Sequence, residues 1–536
     1  MAAKRIDLYD TTLRDGAQQE GISFTVSDKL KITQKLDELG INYIEGGWPG
    51  SNPKDTEFFE KAKNLKLKNA VLVAFGSTRR VDTDAEKDEG LKALVRAGTR
   101  AVNIVGKSSA RQVTQVLETT LPNNLKIIRE SVGFLKSRGL TVFYDAEHFF
   151  DGFKIDPDYA IDTLLAAQQG GVDCLVLCDT NGGTLPAEVA DIVKQVRKKT
   201  SKPLGIHAHN DSELAVAVSL AAVENGAQHV EGTINGYGER CGNANLCSII
   251  PALKLKMGYA CVTARQLAKL TDASRFVAEV ANLAPSSHQP YVGLSAFLHK
   301  AGLHVSALSK WEESYQHIDP ELVGNSPKVV ISELSGKSNI IFKAKELGIP
   351  IQPSGKEARR ILEQIKELES LGFQYEDADA SFELLIHRSQ EGYKPPFELV
   401  DYMVVVERHR RLPAQGGKVE FLSEATIKVK VDNKIMHTAS EGNGPVNALD
   451  FALRKGLLEF YPGLSKVDLI DYKVRILEGS SGTGSQVRVF IESSNGKVKW
   501  RTVGSSTNII EASWLALYDS MEYFLLRVNK SARRKK

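Results

Sequence analysis

A chain of 536 residues is longer than one hydrophobic core supports, so about three domains are expected, with room for a barrel of roughly 250 residues among them. Its 69 basic and 66 acidic residues leave a net charge of only +3, which supplies no field suited to nucleic acid or an anionic membrane and points to small solutes instead. The opening MAAKRIDLYD enters a strand-like pattern without an apolar leader, and no apolar run approaches roughly 18 residues, so no membrane partner and a cytoplasmic location are expected. The five cysteines lack CxxC spacing, and Cys174 and Cys178 sit in the apolar run CLVLC; all five read as reduced, packed thiols. The tail KSARRKK reads as a solvated terminus.

From residue 5 to about 250, eight short β-rich runs alternate with helical patterns: IDLYDTT, NYIEGG, AVLVAFGS, AVNIVGKS, TVFYDAEH, DCLVLCDT, LGIHAHN and HVEGTING. Each is followed by Gly, Ser, Asp or Asn and then by amphipathic sequence such as DKLKITQKLDELG. Eight even βα units predict an α/β fold, a closed (β/α)8 TIM barrel over residues 1–280. An open doubly wound sheet is the competing topology, and no dinucleotide glycine fingerprint follows the first strand to favour it. Polar residues gather at the C-terminal ends of the runs, where barrel enzymes keep their chemistry. Residues 281–410 read as mostly helical connecting subdomains, with stretches such as KEARRILEQIKELESLG burying one stripe. From 411 to 536 two related halves each run strand, turn, strand, Gly/Ser loop, helix, which predicts a C-terminal α+β domain of duplicated ββα units. Such a domain can hold a ligand at its pseudo-symmetric join or serve only to dimerise the chain.

In IHAHN, His207 and His209 are two apart on a strand, so both rings face one side. Such a pair alone is more often structural than metal-binding, but here strand 7 ends beside strand 8, which in a closed barrel neighbours strand 1. Three adjacent strand ends therefore offer Asp15, His207, His209 and Asn243. Two imidazoles, a carboxylate and an amide oxygen suit a divalent cation such as Zn, Mn or Mg, with positions left open for a chelating substrate.

The stretches DTTLRDGAQQ, HAHND and NGYGERCGN resemble the signatures of the 2-isopropylmalate, homocitrate and citramalate synthases. LHVSALSKWEESYQHIDPELVG resembles their connecting subdomain and EGNGPVNALDFAL their C-terminal regulatory domain, with the overall match nearest to the citramalate branch. That resemblance implies a metal-assisted Claisen condensation of acetyl-CoA with a 2-oxo acid, followed by thioester hydrolysis. It implies Asp15, His207, His209 and Asn243 as metal ligands, Asn243 directly or through water. It implies Arg14 as oxyanion stabiliser, Thr180 as the hydrogen-bond partner of the substrate carboxylate, and Glu147 as a catalytic acid-base group. Alternation turns Glu147 to the same side as Asp145, and two close carboxylates raise at least one pKa. His304 and Tyr315 match a pair that assists methyl deprotonation in the neighbouring subunit's site, which implies a homodimer. Asp145 is a departure, since a pocket for an alkyl group is more naturally apolar. Pyruvate, with only a methyl to seat, is the expected acceptor; 2-oxoisovalerate needs a wider apolar site and 2-oxoglutarate a cationic partner. The duplicated domain implies feedback by isoleucine. A related acyl-CoA lyase on the same barrel is the rival enzyme class, and a metal-binding sensor the non-enzymatic one.

Overall fold

The structure is a computed structural model that describes residues 4–308, 310–329, 337–349, 356–390, 392–407, 422–477 and 482–533. It divides into two compact units, residues 1–297 with 318–327, and residues 298–317 with 328–536.

The first unit is the expected closed barrel of eight parallel strands in sequential order, β1 (Asp7–Asp10), β2 (Tyr43–Gly47), β3 (Val71–Ser77), β4 (Ala101–Lys107), β5 (Thr141–Glu147), β6 (Cys174–Asp179), β7 (Leu204–Ala208) and β8 (His229–Gly232). Closure follows from β1 pairing with both β2 and β8. Because side chains alternate along each strand, one set, including Leu8, Ile44, Val102, Leu175 and Ile206, packs under the helices. The other set, including Tyr9, Val73, Phe143 and Val176, fills the barrel interior. The helices are built as their sequences dictate. In Val26–Leu39, Thr25 and Asp28 form a reciprocal capping box, Ile32, Leu36 and Leu39 are buried, and Gly40 ends the helix at φ +91°. Truncating Leu36 to Ala would cost about 2–5 kcal/mol through the cavity left. Among the described residues no helix is long and apolar enough to cross a membrane, and all five cysteines are free thiols.

In the second unit, helices Lys337–Glu346, Lys356–Ser370 and Asp379–Ser389 bury one shared cluster that includes Ile340, Ile361, Ile365 and Phe382. Two three-stranded antiparallel sheets follow, β9 (Glu398–Glu407), β10 (Leu422–Val431) and β11 (Lys434–Gly442), then β12 (Asp468–Ile476), β13 (Val487–Ser494) and β14 (Lys499–Ser506), each with one helix, Pro445–Leu457 and Ile509–Arg533. The duplication is exact enough to repeat single bonds. Thr438 Oγ1 donates to the Ala452 carbonyl at 2.8 Å and Thr502 Oγ1 to that of Ala516 at 2.7 Å, an offset of 64 at both ends (502 − 438; 516 − 452).

The repeat is larger than the expected ββα. Each half begins with a further strand, LVDY in β9 and LIDY in β12, with the same register irregularity after the leucine and a tyrosine opposite an isoleucine, Tyr402 to Ile427 and Tyr472 to Ile491. The sheet therefore starts upstream of residue 411, inside the stretch expected to be helical connector. Helix Asp379–Ser389 also belongs with this domain, since Arg388 pairs with Asp519 at 2.6 Å and Glu522 at 2.5 Å.

Candidate functional site

After β1 the chain turns tightly. Asp10 accepts from the Thr12 amide at 2.9 Å and hydroxyl at 2.8 Å, and the Arg14 and Gly16 amides both donate to the Thr11 carbonyl. The turn leaves Arg14 and Asp15 at the barrel mouth. The loop after β8 folds back onto the end of β7, where the Ala244 amide donates to the Ala208 carbonyl at 2.9 Å and Asn243 bridges His209. This return requires Gly242, which stands at φ +92° and whose Cβ would collide with the Gly236 carbonyl oxygen.

Asp15, His207 and His209 are buried and offer ligand atoms that all lie within 4.8 Å of one another. His207 Nε2 is 3.4 Å from His209 Nε2 and 3.5 Å from Asp15 Oδ2. Burial would push the Asp15 carboxyl up, but the Arg14, His207 and His209 charges outweigh it and hold it at about 2. Burial and then the charge of His207 lower His209 to about 4, leaving it neutral near pH 7. His207 is raised, because its hydrogen bond to Glu231 and the charges of Glu231 and Asp15 outweigh burial. An ionised Asp15 and a neutral His209 are the forms that bind a cation, and the donor set fits a divalent metal. Asn243 lies beside the cluster, but it faces Asp15 Oδ1 with its amide nitrogen, at 3.1 Å. Its oxygen is buried with no hydrogen-bond partner among the described residues.

Of the expected barrel residues, Arg14, Asp15, Asp145, Glu147, Thr180, His207 and His209 line one cavity of about 620 Å³. Arg14 donates to Glu45 Oε1 at 2.5 Å and Asp15 Oδ2 at 3.1 Å, and its guanidinium lies 3.8 Å over the Phe75 ring. Thr180 Oγ1 accepts from the His148 amide at 2.8 Å, so its proton is free to donate. It does not cap the following helix, whose N-cap is Leu185. Glu147 pairs with Lys107 at 2.5 Å. Asp145 titrates well above the usual carboxylate range, but the causes are burial and then the charges of Glu231 and Glu45, rather than Glu147 as alternation suggested. Asn103 donates to Asp145 Oδ2 at 2.9 Å, and Oδ1 is buried without a partner among the described residues. His304 and Tyr315 lie in the second unit, with rings stacked at 4.1 Å and 25°.

Sequence reasoning missed Glu45 and Glu231, both fully buried in the barrel. Glu45 receives Arg14, Thr11, Tyr9 and Asn103. Glu231 receives His207 and His229. The available signal was a charged residue inside each of the apolar runs NYIEGG and HVEG.

The C-terminal domain holds a second cavity, of about 570 Å³, between helix Pro445–Leu457 and β12, lined by Asn447, Asp450, Phe451, Arg454, Leu469 and Tyr472 among others. At the repeat offset of 64, Trp514 and Tyr518 take the places of Asp450 and Arg454. Trp514 lies 5.4 Å from the ring of Tyr402 and 5.8 Å from that of Tyr518. Bulk aromatics thus occupy one of two equivalent positions, while a short acid and a paired arginine leave the other open.

Three family models match consecutive stretches of the chain: HMGL-like over residues 5–277, homocitrate synthase post-HMGL domain-like over 291–372, and LeuA allosteric (dimerisation) domain over 376–525. The chain is similar to proteins described as (R)-citramalate synthase. The one from Geobacter sulfurreducens is 55% identical over 97% of this chain and 97% of its own. Those from Aquifex aeolicus, 52% identical over 98% of each chain, and Sulfolobus acidocaldarius, 45% over 98% of each, are also similar along nearly their whole length.

Proposed function

The chain belongs to the citramalate synthases, HMGL-like acyltransferases that use acetyl-CoA, and from that premise we propose how its barrel mouth carries out the reaction. A proton leaves the methyl of acetyl-CoA, the resulting carbon bonds to C2 of pyruvate, the ketone oxygen takes up a proton, and water splits the thioester to citramalate and CoA. The observation that carries this reading is the Asp15, His207 and His209 cluster opening into the same cavity as Arg14, Thr180 and Glu147.

Asp15, His207 and His209 would hold the divalent ion, Mn, Zn or Mg, with Asn243 beside them. When bound, the metal supplies Lewis-acid polarisation to the 2-oxo acid. Arg14, fixed by Glu45 and Phe75, keeps its remaining N–H groups for the oxyanion that develops at the ketone. The free Thr180 proton suits the acceptor's carboxylate. Glu147 and Lys107, joined at the rim of the site, form an acid and a base between which a proton can move. Burial and the charges of Glu231 and Glu45 favour the protonated form of Asp145, the form of a carboxyl that a pocket for a methyl group best tolerates. His304 and Tyr315 complete the site of a partner subunit in a homodimer, a reading supported by their mutual stacking and by the dimerisation domain that follows them. The open C-terminal cavity has the chemistry for an amino-acid effector, an acid and a base for the zwitterion and Phe451 and Leu469 for an apolar side chain, and isoleucine is the effector that a citramalate-forming pathway calls for.

The test is CoA-thiol release with acetyl-CoA and a panel of 2-oxo acids. Pyruvate should give the highest kcat/KM. A higher value with 2-oxoisovalerate or 2-oxoglutarate would overturn the assignment.

A further inference from the structure

Glu231 lines neither the cavity at the barrel mouth nor the C-terminal one and takes no part in the reaction, yet it occupies a costly position. It is fully buried on β8, opposite His207 of β7 and Tyr9 of β1 in the strand register. Its Oε2 lies 3.0 Å from His207 Nδ1 and its Oε1 3.1 Å from His229 Nε2. Its interior surroundings hold His207, His229, Tyr9 and a second buried carboxyl, Asp145, whose ionisation its charge opposes. Buried ionic groups seldom stabilise a fold more than apolar residues of the same volume, so stability alone does not account for this triad.

Tautomer control does account for it. A carboxylate that receives two imidazoles is satisfied only when each ring presents an N–H to it. His207 must then carry its proton on Nδ1 and expose the Nε2 lone pair toward His209 Nε2, 3.4 Å away, and Asp15 Oδ2, 3.5 Å away. The other neutral tautomer would set a lone pair against the Glu231 carboxylate and aim an N–H into the cluster, blocking it. Resting on the reading of Asp15, His207 and His209 as a cation site, we propose that Glu231 is the positioning residue that prepares that site, by fixing the tautomer and ring orientation of His207. His229 holds Glu231 in turn, its own ring stacked on Phe143 at 5.1 Å and set edge-on to Tyr9 at 5.2 Å. The relay thus runs from the aromatic interior of the barrel, through His229 and Glu231, to one nitrogen at the mouth.

The experiment titrates Mn(II) calorimetrically into chelator-stripped full-length protein and follows the thermal midpoint with and without the metal. Glu231→Gln keeps the side-chain shape but can accept from only one ring, and it should weaken Mn(II) binding about 10–100-fold. Losing one of two buried partners should lower the metal-free midpoint, and the rise that metal adds to it should shrink as well, which a purely structural role would not produce. If Glu231→Gln fails to fold, Glu231→Asp carries the test: it keeps the charge but withdraws it by one methylene, and should give a smaller loss of affinity. Wild-type affinity in whichever variant folds, beside a wild type that binds Mn(II), would overturn the role of Glu231 alone. A wild type that binds no Mn(II) would overturn the cation site and this inference together.

Discussion

Arg14 donates from Nε to Glu45 Oε1 at 2.5 Å, so the guanidinium at the mouth is anchored by a carboxylate that is itself fully buried in the barrel. A lysine could not also reach Asp15 or lie flat over Phe75, because it has one point charge where arginine has a planar fork. Arg14→Lys should therefore lower kcat by about 10²–10³-fold, the scale seen when one oxyanion donor is lost. Thiol release at saturating acetyl-CoA, pyruvate and metal checks this, and a loss below about tenfold would remove Arg14 from the oxyanion role.

Asp15→Ala and His209→Ala should each abolish turnover and metal binding while leaving the barrel folded, since both residues sit at the mouth rather than in the packed layers. Circular dichroism and metal content measured on the same samples separate the two effects. Full activity of either variant in metal-stripped buffer would end the metal assignment.

The barrel was legible because each strand is an apolar run with a polar end, and Asp15, His207 and His209 were legible because two-residue alternation and strand adjacency bring them together. Glu45 and Glu231 were not. Their work depends on side chains crossing the barrel interior, which is fixed by closure and register and not by any local pattern. The strands at β9 and β12 were passed over for a different reason: LVDY and LIDY lie 70 residues apart (469 − 399) and mean little until their shared register irregularity is visible. The open cleft at Asp450 and Arg454 was illegible as well, since the repeat that reveals it compares residues with no sequence likeness.

Asp145 gives a pH test. Its carboxyl titrates near 3.8 when unperturbed and well above that in the barrel, so over the interval between the two values folding takes up a proton. The contribution of this group to stability is greatest at low pH and declines as pH rises toward the folded value. Asp145→Asn resembles the protonated form at every pH. Urea unfolding of the metal-free protein should show the variant gaining on wild type as pH rises above the unperturbed carboxyl value. A constant difference there would mean that Asp145 is not held protonated.

Mixing two inactive chains tests the shared site. His304→Ala and Asp15→Ala homodimers should both be inactive, and heterodimers formed from them should regain about a quarter to a half of wild-type activity, because one of their two composite sites has neither substitution. Mass spectrometry confirms that mixed dimers form. If they form and remain inactive, His304 and Tyr315 serve the site of their own chain.

The regulatory reading is best tested without cutting the chain. Truncation near residue 415 would leave β9 without its partner β10, and helix Asp379–Ser389 would lose Asp519 and Glu522, so a lost activity there would report damage rather than regulation. Substitutions in the open C-terminal cavity avoid this. Phe451 is 46% exposed and Arg454 is held by Asp450 at 2.8 Å, so Phe451→Ala removes apolar lining and Arg454→Met removes the cation with little change in bulk. Each should raise the isoleucine concentration for half-inhibition at least about tenfold, the effect of losing about 1.4 kcal/mol of effector binding. Basal kcat is measured in parallel, and inhibition is read as a ratio to it. An effector bound in this domain must act by favouring a state that turns over less, so isoleucine should depress kcat at least as much as it raises the KM for pyruvate. Inhibition that is purely competitive with pyruvate and unchanged in both variants would place the amino acid in the barrel itself, and the C-terminal cavity would then have no part in feedback.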